Sequence, residues 1–282
     1  MIRPQEKAAL QRGAGLKARR RRPRVASRPR RRHLFDCWPQ VRKRLRAAKR
    51  VALFLDFDGT LVPMRSRPEG VRLDSTTRRL LQRLARHPHL TVVVISGRQR
   101  RDLLQRIRVE GLQYLGLYGL ERGGRVPTAD PAYMVLRRAR RSLAVRMASL
   151  PDIWIEDKRL SFAIQYRGAA GATRQQARCI LRETLKPLES VLRVQPSKKV
   201  WEVLLREAPG KGAAVADILK GLPPGTLPIY VGDDTTDESA FAVLPKGVTV
   251  RVGALRHSRA RYKLRSPAEV LNFLERLEGN IL

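Results

Sequence analysis

The sequence predicts an α/β protein: a parallel-sheet core with helices on its faces, interrupted by an inserted α+β block. Three observations carry this. From residue 51 short apolar runs alternate with amphipathic helical patterns; near residue 123 the order changes to α-β-β-α-β-β; after residue 207 the alternation returns. Strand–helix alternation needs crossover connections and hence parallel pairing, while closely spaced strand pairs read as an antiparallel sheet with helices on one face.

The elements follow in order. "VALFLD" at 51–56 is an apolar strand, a helix runs from about Ser75 to Arg86, "LTVVVI" at 90–95 is a second strand, and 114–117 a short third. His87 and His89 flank Pro88 in a turn. The insert holds a helix at 132–149, strands "DIWIED" and "LSFAIQYR", a helix at 172–186, and strands "VLRVQ" and "KVWEVLL". Trp154 and Trp201 are expected in its core. The core then resumes with a helix from Gly212 to Lys220, the strand "LPIYVG", a helix from Asp237 to Leu244, the strand "VTVRVG" and a last helix from Pro267 to Leu277. The expected boundaries are 1–48 for a basic arm, 49–122 with 208–282 for the core, and 123–207 for the insert, entered near Gly123 to Pro127.

Composition limits the function classes. With 43% hydrophobic residues and no apolar run longer than strand length, nothing in the sequence spans a bilayer as a helix. The formal charge of +34 is uneven: residues 1–50 contribute as much of the excess as the other 232. That arm has high like-charge density and few large apolar side chains, so it is expected to be disordered. It carries no convincing export signal. The basic excess could attract nucleic acid non-specifically, but no basic stretch is interleaved with aromatics, so no specific nucleic-acid partner is expected. Cys37 and Cys179 lie far apart without a C-x-x-C, which suits a reducing cytoplasm. The four histidines lack zinc-ligand spacing.

In an open parallel sheet, ligands collect beyond the carboxyl ends of the strands. Three strands here end in polar groups: Asp56 and Asp58; Ser96 and Arg98; Asp233, Asp234 and Asp237. Any one of them alone could be a turn or cap residue. Several carboxylates brought together raise each other's pKa unless a cation is present. A hard divalent ion such as Mg²⁺ resolves that conflict and implies an anionic, phosphate-bearing substrate. Lys211, between two glycines at a helix start, adds a positive charge for phosphate oxygens. Asp234 is left open as a helix-start residue.

"DFDGTL", "ISGR", Lys211 and "GDDTTD" resemble the four motifs of the haloacid dehalogenase superfamily, and "GLYGLERGG", "WIEDKRLSFAIQYR" and "GDDTTDESAF" resemble the trehalose-6-phosphate phosphatase family over about residues 51–277. The resemblance implies a Rossmann-like haloacid dehalogenase core with an inserted α+β cap. It implies Asp56 as nucleophile, Asp58 as acid/base, and Lys211 and Ser96 as stabilisers of the phosphoryl group. Mg²⁺ would be held by Asp56, the Asp58 carbonyl and Asp233, with Asp237 nearby. Phe57, Arg98, Glu121, Glu156, Lys158 and Arg167, with Asp56 and Asp58, are the expected substrate contacts. A sugar phosphate is the implied small-molecule substrate, and a trehalose-phosphate synthase the partner to test for. Tyr118 and Gln165 stand where the family commonly has histidines, which leaves sucrose-phosphate or mannosyl-phosphoglycerate chemistry as alternatives.

Overall fold

The computed structural model describes residues 32–64, 70–122, 130–197, 199–254 and 257–281. Along the chain the strands and helices are β1 (Arg32–His33), α1 (Trp38–Ala47), β2 (Val51–Leu55), α2 (Ser75–Arg86), β3 (Leu90–Ile95), α3 (Arg100–Ile107), β4 (Gln113–Leu115), α4 (Pro131–Arg146), β5 (Trp154–Asp157), β6 (Ser161–Gln165) and α5 (Gly171–Leu185). They continue with β7 (Leu192–Ser197), β8 (Val200–Leu205), α6 (Lys211–Lys220), β9 (Leu227–Gly232), α7 (Glu238–Val243), β10 (Val248–Val252), β11 (Tyr262–Leu264) and α8 (Pro267–Ile281).

Seven strands form one sheet in the order β1-β11-β10-β9-β2-β3-β4, every pair parallel. Central β2 is buried throughout because both faces of the sheet are covered. Its side chains alternate: Val51, Leu53 and Leu55 pack with α2, α3 and α8, whereas Ala52 and Phe54 pack with α6 and α7. Leu55 lies opposite Val231 of β9 and Val94 of β3. The three central strands therefore end nearly level, and the residues that follow emerge along one edge.

Strands β5-β6-β8-β7 form a second, antiparallel sheet. Phe162, Ile164 and Val203 on one face pack against Leu136, Ala139 and Leu143 of α4 and Ala177 and Leu181 of α5. The period of two then leaves Glu156, Gln165 and Glu202 on the opposite face. That face turns toward the strand ends of the large sheet.

Residues 32–48 correct the expectation of a disordered arm up to residue 48. Leu34, Cys37, Val41 and Leu45 are buried and spaced as one helical stripe, and Leu34, Val41 and Leu45 join the main core. Trp38 meets Phe273 of α8 edge to face at 6.2 Å. Charge density concealed this stripe, because the basic side chains of α1 point outward while its apolar side docks. Residues 1–31 and the insert entry at Gly123 to Pro127 lie outside the described residues. α3 and the short β11 had no counterpart in the sequence reading. Among the described residues no helix is long and apolar enough to cross a membrane.

Leu34→Ala is expected to lower stability by about 2–5 kcal/mol, the usual range for a leucine truncated in a closed core. Urea unfolding measures it, and an unchanged midpoint would mean the segment does not dock.

Candidate active site

Between the strand ends and the second sheet lies a cavity of about 440 Å³. Its floor carries Asp56, Asp58, Ser96, Lys211 and Asp233, and its roof Trp154, Glu156, Lys158, Gln165, Arg167 and Glu202. Trp154 is thus not core: it sits on edge strand β5, 45% exposed and facing the cavity. Trp201 does pack on the insert's core, with its ring 4.3 Å from that of Tyr166.

Asp56 follows β2, and its backbone N–H still donates to Val231 of β9. The Lys211 ammonium, buried at the first position of α6, donates to Asp56 Oδ1 at 2.6 Å and Asp237 Oδ1 at 2.7 Å. Thr60 donates to Asp56 Oδ2 at 3.3 Å. Burial pushes the Asp56 carboxyl well above its ordinary value; Lys211 opposes this, and Asp237 and Asp233 add to it. For Lys211, burial disfavours the charge, but Asp237 and Asp56 outweigh it and hold the ammonium protonated. One ammonium thus faces three carboxylates, and negative charge is left over.

The chemistry of that donor set fits a hard cation. Oxygens of Asp56, Asp233 and Asp237 lie within 4.8 Å of one another, all buried. Asp233 is accommodated only because residue 59 is glycine: φ there is +82°, and a Cβ would sit 2.1 Å from Asp233 Oδ2. Asp237 is more fully committed to protein donors. Its Oδ1 accepts from Lys211 and the Tyr230 hydroxyl, and its Oδ2 from the Asp234 N–H at 2.7 Å. It orients Lys211 and leaves Asp56 and Asp233 as the carboxylates best suited to a metal. Asp234 is the helix-start residue, accepting from the Thr235 N–H and from Ser197 of β7.

The Asp58 carboxylate accepts from Arg98 through both oxygens, at 2.6 and 2.7 Å. Ser96 is buried and its Oγ accepts the Arg98 N–H at 3.2 Å. On the roof, Lys158 donates to Glu202 at 2.9 Å and to the Gly97 carbonyl at 3.3 Å, tying the second sheet to the floor. Gln165 donates to Glu156 at 3.0 Å. Tyr118 lines the cavity, and burial, with the Glu202 and Asp234 charges adding, pushes its hydroxyl well up and keeps it a donor.

Two expected substrate residues do not reach the cavity. Phe57 is fully buried in the main core, because its side chain alternates away from those of Asp56 and Asp58. Glu121 pairs in a bridge with Gly116 and accepts the Arg100 N–H at 2.5 Å, so its carboxylate caps the start of α3. Gln99, Arg101, Asp102, Gln105 and Arg106 of the α3 region, by contrast, line the cavity and escaped the sequence reading.

A parallel sheet whose strands end in Asp56, Ser96 and Asp233, with a lysine bridging to the first, defines a hydrolase core of the haloacid dehalogenase type. A haloacid dehalogenase-like hydrolase from Bacteroides thetaiotaomicron shares the fold, with a TM-score of 0.58. The C-terminal domain of the C. albicans trehalose-6-phosphate phosphatase has a TM-score of 0.78 at 20% identity, covering 90% of this chain and 99% of that one. The trehalose-phosphatase family model matches residues 54–268. Trehalose 6-phosphate phosphatase RA3 of Zea mays is 29% identical over 81% of this chain and 70% of its own length. The Mycobacterium tuberculosis trehalose-phosphate phosphatase is 33% identical over 82% of this chain, which spans only 62% of that relative's length. The chain belongs to the trehalose-phosphatase family.

Two outcomes follow from this geometry. Mg²⁺ at about 100 times its Kd should add roughly 2.7 kcal/mol to the stability of the wild type. Asp233→Asn should lose most of that gain in a thermal-shift titration; an equal gain would place the ion elsewhere. Glu121→Ala should cost about 0.5–2 kcal/mol, as for a lost helix cap, with KM unchanged. A KM raised tenfold or more, about 1.4 kcal/mol of binding, would return Glu121 to substrate recognition.

Proposed function

We propose that this chain hydrolyses trehalose 6-phosphate to trehalose and inorganic phosphate through an aspartyl-phosphate at Asp56. The observation that carries the proposal is the buried Asp56, bonded to Lys211 and beside Asp233, at the floor of a cavity roofed by polar side chains. Family membership supports the sugar, and the roof of Glu156, Lys158, Gln165 and Arg167 offers donors and acceptors suited to hydroxyl groups.

An Asp56 oxygen attacks phosphorus, the bond from phosphorus to the sugar oxygen breaks, and the departing oxygen takes a proton from the Asp58 carboxyl. The Asp58 carboxylate then takes a proton from water as that water's oxygen attacks phosphorus. The bond to Asp56 breaks, and phosphate leaves. Lys211 sits where it offsets repulsion between the Asp56 carboxylate and the incoming phosphate. Ser96, whose Oγ already accepts the Arg98 N–H, keeps its own proton for a phosphoryl oxygen. Mg²⁺ held by Asp56 and Asp233 would supply positive charge against the phosphoryl oxygens.

The second sheet acts as a cap over the phosphate, excluding water and gripping the sugar. Two cysteines without a disulfide, Cys37 and Cys179, support work in a reducing compartment such as the cytoplasm.

A phosphate-release panel tests the substrate. Trehalose 6-phosphate should exceed glucose 6-phosphate and sucrose 6-phosphate in kcat/KM by about 100-fold, and Asp56→Asn should abolish turnover of all three. Equal rates across the panel would overturn the substrate, and normal turnover by Asp56→Asn would overturn the nucleophile.

A further inference from the structure

The acid/base carboxylate does not stand alone. Arg98 holds both oxygens of Asp58 through Nε and one terminal nitrogen, while its other terminal nitrogen donates to Asp102 at 2.9 Å. Asp102 in turn accepts from Arg106 Nε at 2.8 Å to each of its oxygens. Arg106 is anchored by donating to the Val71 carbonyl at 2.6 Å. The result is a continuous chain, Asp58–Arg98–Asp102–Arg106, along one wall of the cavity, with the two arginine side chains only 12% and 13% exposed.

The guanidinium takes one lone-pair site on each Asp58 oxygen and fixes the plane of the carboxylate, so that Asp58 is not free to turn toward a leaving oxygen while both bonds are made. Turning Asp58 toward the leaving oxygen breaks at least one of its two bonds to Arg98. The Arg98 backbone is tied down on both sides: its N–H donates to Ser96 Oγ at 3.2 Å and its carbonyl accepts the Leu117 N–H at 2.8 Å. The guanidinium lies over the Phe57 ring at 5.6 Å, and among the described residues Asp102 is a second carboxylate already bonded to it.

We propose that Asp102 and Arg106 are positioning residues for the acid/base step, acting through Arg98 by anchoring its guanidinium as Asp58 turns to the sugar oxygen. The inference rests on the reaction proposed above, in which Asp58 protonates the leaving group. It gives Arg98, expected from the sequence to contact substrate, a role toward the protein's own acid. The sequence carries the pattern as Arg-x₃-Asp-x₃-Arg over residues 98–106, one turn apart along the entry and length of α3.

Leaving groups separate positioning of an acid from general damage, because a sugar alkoxide needs the proton whereas p-nitrophenolate departs as the anion. Asp102→Asn should lower kcat for trehalose 6-phosphate about tenfold with KM changed less than about twofold, and leave the first-turnover burst of p-nitrophenolate within about twofold of wild type. Arg106→Gln, one bond further out, should show the same asymmetry with a smaller loss, so a misfolded Asp102 variant would not hide the effect. Equal slowing of both leaving groups, or no slowing of either, overturns the relay. A wild type that turns over glucose 6-phosphate but not trehalose 6-phosphate overturns the substrate alone, and the relay is then read on glucose 6-phosphate. A wild type inert toward every alkyl phosphate overturns both.

Discussion

The buried ammonium of Lys211 is the contact on which the site depends. It ties the end of β2 to the start of α6 and to the turn after β9, three elements brought together by the large sheet. Removing one partner of such a pair leaves an uncompensated charge in a dry interior, which is more costly than the pair's own contribution. The lysine is also outnumbered. With Asp56, Asp233 and Asp237 within 4.8 Å of one another, one positive charge cannot balance three carboxylates, and the excess suits a divalent cation and, through it, a phosphate. Backbone detail protects the arrangement: a Cβ at Gly212 would lie 2.5 Å from the Ser239 carbonyl, so glycine lets α6 and its lysine approach α7 closely.

Above this floor the second sheet supplies a different kind of chemistry. Its apolar face is spent on α4 and α5, and what remains toward the cavity is a row of hydrogen-bonding groups paired mostly with one another. Lys158 reaches past Glu202 to the Gly97 carbonyl, and Ser197 reaches Asp234, so hydrogen bonds join roof and floor beside the apolar packing of Leu117 and Leu120 against the insert's core.

Much of this was legible in the sequence, and the failures have physical causes. The floor was readable because buried parallel strands appear as unbroken apolar runs, so that Asp56, Ser96 and Asp233 stand out where the runs stop. The insert was readable from its change of order. Phe57 misled because it lies between two site residues while its own side chain alternates into the core. Glu121 misled because chain order does not reveal the bridge that folds it back onto α3. Trp154 belongs to an edge strand of four residues, too short for its alternation to be told from a buried run. Residues 32–48 hid a helical stripe beneath a high density of charge, and the partners of Arg98 depend on the path of α3, whose Arg-x₃-Asp-x₃-Arg spacing stands in the sequence without revealing where that helix docks.

The most direct test of the central claim is to trap the covalent intermediate. Asp58→Asn, incubated with Mg²⁺ and ³²P-labelled p-nitrophenyl phosphate and then acid-quenched, should carry label on the peptide containing Asp56, because the intermediate forms without the acid but is hydrolysed slowly without the base. The double variant with Asp56→Asn should carry none. Label retained in the double variant, or found on a peptide without Asp56, would contradict the assignment of Asp56 as the nucleophile.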